Sequence, residues 1–148
     1  MMIPSIQIIF ASLSGRNQAI AGHLQAQLAS RAQTVVTEIS QADAFELPQA
    51  DAVIVVSYTY HDGDLPDEAQ DFFEDLKEVD LGRTKFAVLG SSSKKHVHFG
   101  RAVDYLTMQL NSSNGDQVAD SVKIDQDPDD ADWARVDQLA QRVLKSFD

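Results

Sequence analysis

Short apolar runs alternate with helix-period segments along the whole chain, and this alternation constrains the fold more than any other feature. Ile6-Gln7-Ile8-Ile9-Phe10-Ala11, Thr34-Val35-Val36-Thr37-Glu38-Ile39, Ala52-Val53-Ile54-Val55-Val56-Ser57, Phe86-Ala87-Val88-Leu89-Gly90 and Val118 to Ile124 read as five strands. The third is apolar on both faces, as a central strand of a parallel sheet is when helices cover both sides. Between the strands, apolar residues recur at helical spacing: Ile20, Leu24 and Leu28; Ala69, Phe72, Phe73 and Leu76; Phe99, Val103, Leu106 and Leu110; Trp133, Val136, Ala140, Val143 and Phe147. Pro66 suits the first turn of the second helix, and Asp127-Pro128-Asp129-Asp130 caps the last. Five strands alternating with helices in 148 residues predict one domain, an open α/β sheet with right-handed crossovers.

In such sheets ligands sit beyond the carboxyl ends of the strands, where the strand order reverses. That rule places the loops at 12–17, 58–64 and 91–98 on one edge. The first, Ser12-Leu13-Ser14-Gly15-Arg16-Asn17, turns a strand straight into a helix. Backbone N–H groups and the positive helix end then converge on one point, which suits a phosphate. The same residue types also favour a helix start whatever they bind. The second loop, Tyr58-Thr59-Tyr60-His61-Asp62-Gly63-Asp64-Leu65-Pro66, carries two aromatic rings and an Asp-Gly turn. The third, Ser91-Ser92-Ser93-Lys94-Lys95-His96-Val97-His98, is rich in small polar residues. His61, His96 and His98 also suit solvated loop positions, and the 96–98 spacing lacks a third ligand for a metal.

A formal charge of −11, from 12 basic and 23 acidic residues, argues against nucleic acid as partner, because neutralising phosphates takes clustered Lys and Arg. A basic protein surface is the better electrostatic match. The acids concentrate between Asp62 and Asp80, a run with nine of them and a single Lys77. The chain has no cysteine, which excludes disulfides and thiolate metal sites. With no signal-like start and no apolar run of bilayer length, a cytoplasmic location is expected. The sequence offers no oriented Ser-His-Asp set and no Gly-x-x-x-x-Gly-Lys loop.

Taken in order and over nearly the whole chain, these loops resemble those of the flavodoxins, small electron carriers that hold FMN without a covalent bond. Ser12 to Asn17 resembles their hydroxyl-x-hydroxyl-Gly-x-Thr phosphate loop, with Asn17 for the last Thr. Thr59 to Pro66 looks like their Thr-aromatic-Gly-Asp-Gly-Glu-Leu-Pro loop. Gly90 to Asp104 is similar to their third flavin loop and the helix after it. No long insertion breaks the fifth strand, so the likeness is to the short-chain members. The resemblance implies a flavodoxin-like α/β fold, with a five-stranded parallel sheet in the order 2-1-3-4-5 and helices on both faces.

It also implies an FMN site. Ser12, Ser14 and Asn17 would hold the phosphate together with the amides of Leu13, Gly15 and Arg16, and Thr59 would add a hydroxyl. Tyr60 would lie on one face of the flavin and His96 on the other, an arrangement that offset stacking favours. Asp62, Ser91, Ser92, Ser93, His98 and Phe99 would complete the second and third loops. Three residues depart from the family pattern. His61 stands where Gly is common, which raises the cost of a positive φ. Ser93 replaces an acid near the ring, which makes the reduced anionic flavin easier to form. His96 for Tyr gives a smaller stacking surface whose charge switches near neutral pH. The implied function is low-potential electron transfer by a monomer between a reductase and acceptor enzymes with basic docking surfaces. Two alternatives stay open: a flavodoxin-like regulatory module with weak or lost FMN binding, and a small FMN-dependent reductase.

Overall fold

The computed structural model describes residues 3–60, 63–95 and 98–148. The apolar runs pair side by side: β1 (Ser5–Ala11) lies between β2 (Gln33–Glu38) and β3 (Ala52–Ser57), and β4 (Lys85–Ser92) follows β3. All pairings are parallel, with Ile8 opposite both Val36 and Ile54. Parallel neighbours need long crossovers, and these are helical: α1 (Arg16–Leu28) after β1, α2 (Gln70–Leu76) after β3 and α3 (Arg101–Ser112) after β4.

The two-residue period of the strands builds two cores. Ile6, Ile8, Phe10, Ile54, Val56, Ala87 and Leu89 share one with Ile20 and Leu24 of α1 and with Val136, Ala140 and Val143 of α4 (Asp130–Lys145). Ile9, Val53, Val55, Phe86 and Val88 point the other way, onto Phe72 and Leu76 of α2 and Leu106 and Leu110 of α3. Each fully buried Val, Leu, Ile or Phe stabilises the fold by roughly 1.5–3 kcal/mol relative to exposure. Every residue of β3 is buried, which explains its unbroken apolar run.

The predicted strand order holds, but the fifth strand is split. β5 (Asp116–Gln117) pairs with the start of β4, and β6 (Val122–Asp125) pairs with its end. Gln117 lies opposite Phe86 and Val122 opposite Leu89, so five steps along one strand face three along the other and two residues are extra. They leave the ladder where polar Asp120 and Ser121 stand, and the Ser121 hydroxyl is 2.8 Å from that of Thr107.

Other boundaries shift for local reasons. β2 ends at Glu38 because Ile39 turns into a 3-10 segment, Ile39–Gln41, and buries its side chain. Pro66 opens a 3-10 turn, Asp67–Ala69, before α2 begins. The third helix starts at Arg101 rather than at Phe99, because Gly100 takes a left-handed φ of 66°. Asp129 caps α4 in a reciprocal box with Asp132. Among the described residues, no helix is long and apolar enough to cross a membrane.

From β1 the chain moves to one side for β2 and returns to the other for β3. Strand order therefore reverses between β1 and β3, whose last residues, Ala11 and Ser57, are paired. A crevice opens at such a point.

Candidate functional site

The loop after β1 is closed by its own side chain: the Gly15 amide donates to the Ser12 hydroxyl at 2.9 Å. Gly15 occupies the N-cap position at φ 89°, with open space where a Cβ would stand. Conformation, not crowding, therefore calls for glycine there. The first backbone bond of the helix runs from Ala19 N to Gly15 O, so the amides of Arg16, Asn17 and Gln18 have no intrahelical acceptor. The first turn carries no acid, so nothing within it offsets the positive helix end. Ser14 is exposed and has no hydrogen-bond partner among the described residues. Leu13 is exposed beside it.

Two side chains of that first turn reach partners far along the chain. Arg16 Nε pairs with Asp127 Oδ1 at 2.7 Å, ahead of α4. Asn17 is 2 % exposed, and its Oδ1 accepts from the Ser91 amide at 2.9 Å. The helix cap is thus Gly15, and the Asn17 side chain is spent on the third loop rather than on the helix end.

From the second loop, the Thr59 hydroxyl accepts from the Ala102 amide at 3.1 Å, tying that loop to the start of α3. Tyr60 and Asp64 exchange backbone bonds of 2.7 and 2.8 Å, which fold the loop back on itself. Gly63, at φ 123°, lies against the third loop, where a Cβ would come within 2.8 Å of both the His98 Cβ and the Arg101 Cδ. In the third loop Ser91 Oγ donates to the Gln126 carbonyl, Ser92 Oγ accepts from Gly100 N, and Ser93 Oγ accepts from Lys95 N. The Lys94 amide donates to Asp125 Oδ1. The Lys94 ammonium stands 5.8 Å from the centre of the half-buried Phe99 ring, and His98 is exposed.

The three loops meet in a cleft of about 210 Å³ lined by Leu13, Ser14, Arg16, Asn17, Tyr58, Thr59 and Ser91 to Ser93. Ser12 and Gly15 shape its first loop without lining it, and Tyr60, His98 and Phe99 lie outside its walls. The predicted site residues His61, Asp62 and His96 lie outside the described residues. Tyr58 was missed by the sequence reading, although its place directly after β3 was a usable signal. Burial and then the neighbouring Glu68 carboxylate push the Tyr58 pKa up to about 12, so it stays neutral. Among the described residues, none of the lining side chains is His, Asp or Glu. The described lining side chains offer hydrogen-bond donors and acceptors.

A cleft at the switch point of a parallel sheet, with a helix start and aromatic-bearing loops beside it, is the arrangement of a mononucleotide-binding α/β domain. More narrowly, the chain belongs to the flavodoxin family, whose model matches residues 8–136. It is 35% identical over 130 residues to "Probable flavodoxin 2" of Bacillus subtilis, covering 84% of this chain and 83% of that one. A Streptococcus pneumoniae flavodoxin structure superposes with a TM-score of 0.93 at 32% identity, over 96% of this chain and 99% of that one. A short-chain flavodoxin associated with a bacterial microcompartment gives 0.94 at 29% identity, over 99% and 100%. Members of the family are FMN-binding electron carriers rather than enzymes. The residues present fit that cofactor: first-turn amides and a Ser14 hydroxyl without partners among the described residues, and an acid-free helix start, match a phosphate dianion.

Proposed function

We propose that this cleft seats the FMN phosphate on the first turn of α1, and that the chain shuttles electrons between a reductase and acceptor enzymes in the cytoplasm as a monomer. The amides of Arg16, Asn17 and Gln18 and the hydroxyls of Ser14 and Thr59 hold the phosphate, with Ser12 keeping its loop closed. Ser91 to Ser93 and Tyr60 flank the ring. Bound FMN supplies the electron uptake and release, and the protein supplies position and environment.

Hydroxyls and amides suit a phosphate in a small loop, because they surround it with donors while Asp127 already balances the charge of Arg16. The acids from Asp64 to Asp80 follow directly on the second loop in the chain. They steer a basic partner by long-range attraction that salt weakens. The electron-transfer rate with a basic reductase therefore falls as ionic strength rises, and a flat salt dependence removes the steering role.

The observation that carries the reading is the convergence of Ser14, Asn17, Thr59 and Ser91 to Ser93 on one cleft beside unbonded helix amides. The test is the visible spectrum after incubation with FMN and desalting. A retained flavin spectrum supports the proposal, and a colourless protein overturns it.

A further inference from the structure

From the Asn17–Ser91 contact we infer that Asn17 is a positioning residue joining the phosphate cradle to the ring-side loop, so that the two halves of the flavin site hold their shape together. The inference rests on the FMN reading above. β4 outruns β3: their ladder ends at Val56 opposite Leu89, while β4 continues to Ser92 beside β6. Ser91 is 3 % exposed and lies beyond the last pair that β4 makes with β3. A buried amide in that position needs an acceptor. The Asn17 carboxamide oxygen supplies it at 2.9 Å, across 74 residues of sequence.

Asn17 is two positions beyond the N-cap, so its own backbone N–H belongs to the free first-turn set. One residue thus offers its amide to the cradle and its side chain to β4. A displaced Asn17 side chain releases the Ser91 amide and with it the start of the segment Ser91 to Ser93. The carboxamide also extends one bond beyond a Ser or Thr hydroxyl, which gives it the reach to β4.

The experiment compares wild type, Asn17→Ala and Asn17→Asp by titration with FMN and with riboflavin, which has the ring but no phosphate. The amide proton of Ser91 is followed by NMR in the flavin-free proteins. Asn17→Ala is expected to shift the Ser91 amide upfield, speed its exchange, and weaken both flavins by about tenfold, the scale of one lost hydrogen bond. Asn17→Asp keeps an acceptor, so the Ser91 amide and riboflavin affinity stay near wild type while the added charge weakens FMN. Loss of FMN binding alone in Asn17→Ala makes the side chain a direct phosphate ligand and overturns the inference. An unmoved Ser91 amide, or unchanged affinity for both flavins, overturns it too. If Asn17→Ala does not fold, Asn17→Ser, polar but too short, carries the same comparison. A wild type that binds neither flavin defeats the FMN reading, and the Ser91 amide then judges the strut by itself.

Discussion

The carbonyl oxygen of Ser57 lies 1.7 Å from where a Cβ on Gly90 would stand. β3 and β4 approach this closely just where they hand the chain to the second and third loops, and no side chain fits between them. Gly90→Ala must push the strand ends apart or strain the backbone. Overpacking of this kind costs about 1–3 kcal/mol, and a rigid backbone neighbour puts the cost at the upper end. Denaturant unfolding of the flavin-free protein should show a lower midpoint at unchanged m-value; an unshifted midpoint contradicts the contact.

Ser14→Asp separates phosphate recognition from folding. A carboxylate near the start of α1 favours the helix dipole by about 0.3–1 kcal/mol, so the thermal midpoint of the flavin-free protein should hold or rise. The same charge repels a phosphate dianion. Unit charges 4 Å apart interact by about 4 kcal/mol at an effective dielectric near 20, which exposure reduces to roughly a 10- to 100-fold loss of FMN affinity. Riboflavin binding should barely move. Equal losses for both ligands would mean that the phosphate lies elsewhere.

Tyr58 links stability to alkaline pH. Burial and the neighbouring Glu68 hold its folded pKa at about 12, against 10.0 for the free side chain. The protonated phenol is therefore favoured by folding, and its contribution is whole below pH 10 and lost as pH rises through 12. Other groups titrate in this window as well, so the informative quantity is the difference between proteins. Tyr58→Phe should lose less stability than wild type between pH 10 and 12 in denaturant titrations, and parallel curves would refute the shift.

Asp127 restrains Arg16 through their 2.7 Å pair. Asp127→Asn leaves the guanidinium free to face the cleft that Arg16 lines. Exposed ion pairs are worth little to stability, so the melting temperature should change by less than about 1 kcal/mol implies. FMN affinity should rise about threefold with a steeper salt dependence, while riboflavin affinity stays the same. Isothermal titration at two ionic strengths decides it, and an unchanged FMN affinity refutes the restraint.

Local pattern carried much of the architecture. The run Ala52 to Ser57 was readable to the residue because a strand buried on both faces has no polar position to blur its ends. The alternation of elements gave the parallel sheet, and the strand order came with the resemblance. The roles of Asn17 and Arg16 were hidden because their partners, Ser91 and Asp127, lie 74 and 111 residues away. The resemblance assigned the Asn17 side chain to the phosphate, and its residue type also suits a helix start. The split of the fifth strand was equally hidden, since two surplus residues exist only relative to the pairing of β4. The late start of α3 turned on the conformation of Gly100, which residue type permits but does not dictate.

That surplus also gives the molecule a port for added chain. β5 and β6 are each registered on β4 independently, and Asp120 between them is exposed. A spectroscopic label or a grafted peptide inserted after Asp120 would lengthen an outer loop and leave both ladders in step. The end of the sheet that carries the cleft would be spared, because Val122 to Asp125 take their alignment from Leu89 to Ser92 and not from the residues before them.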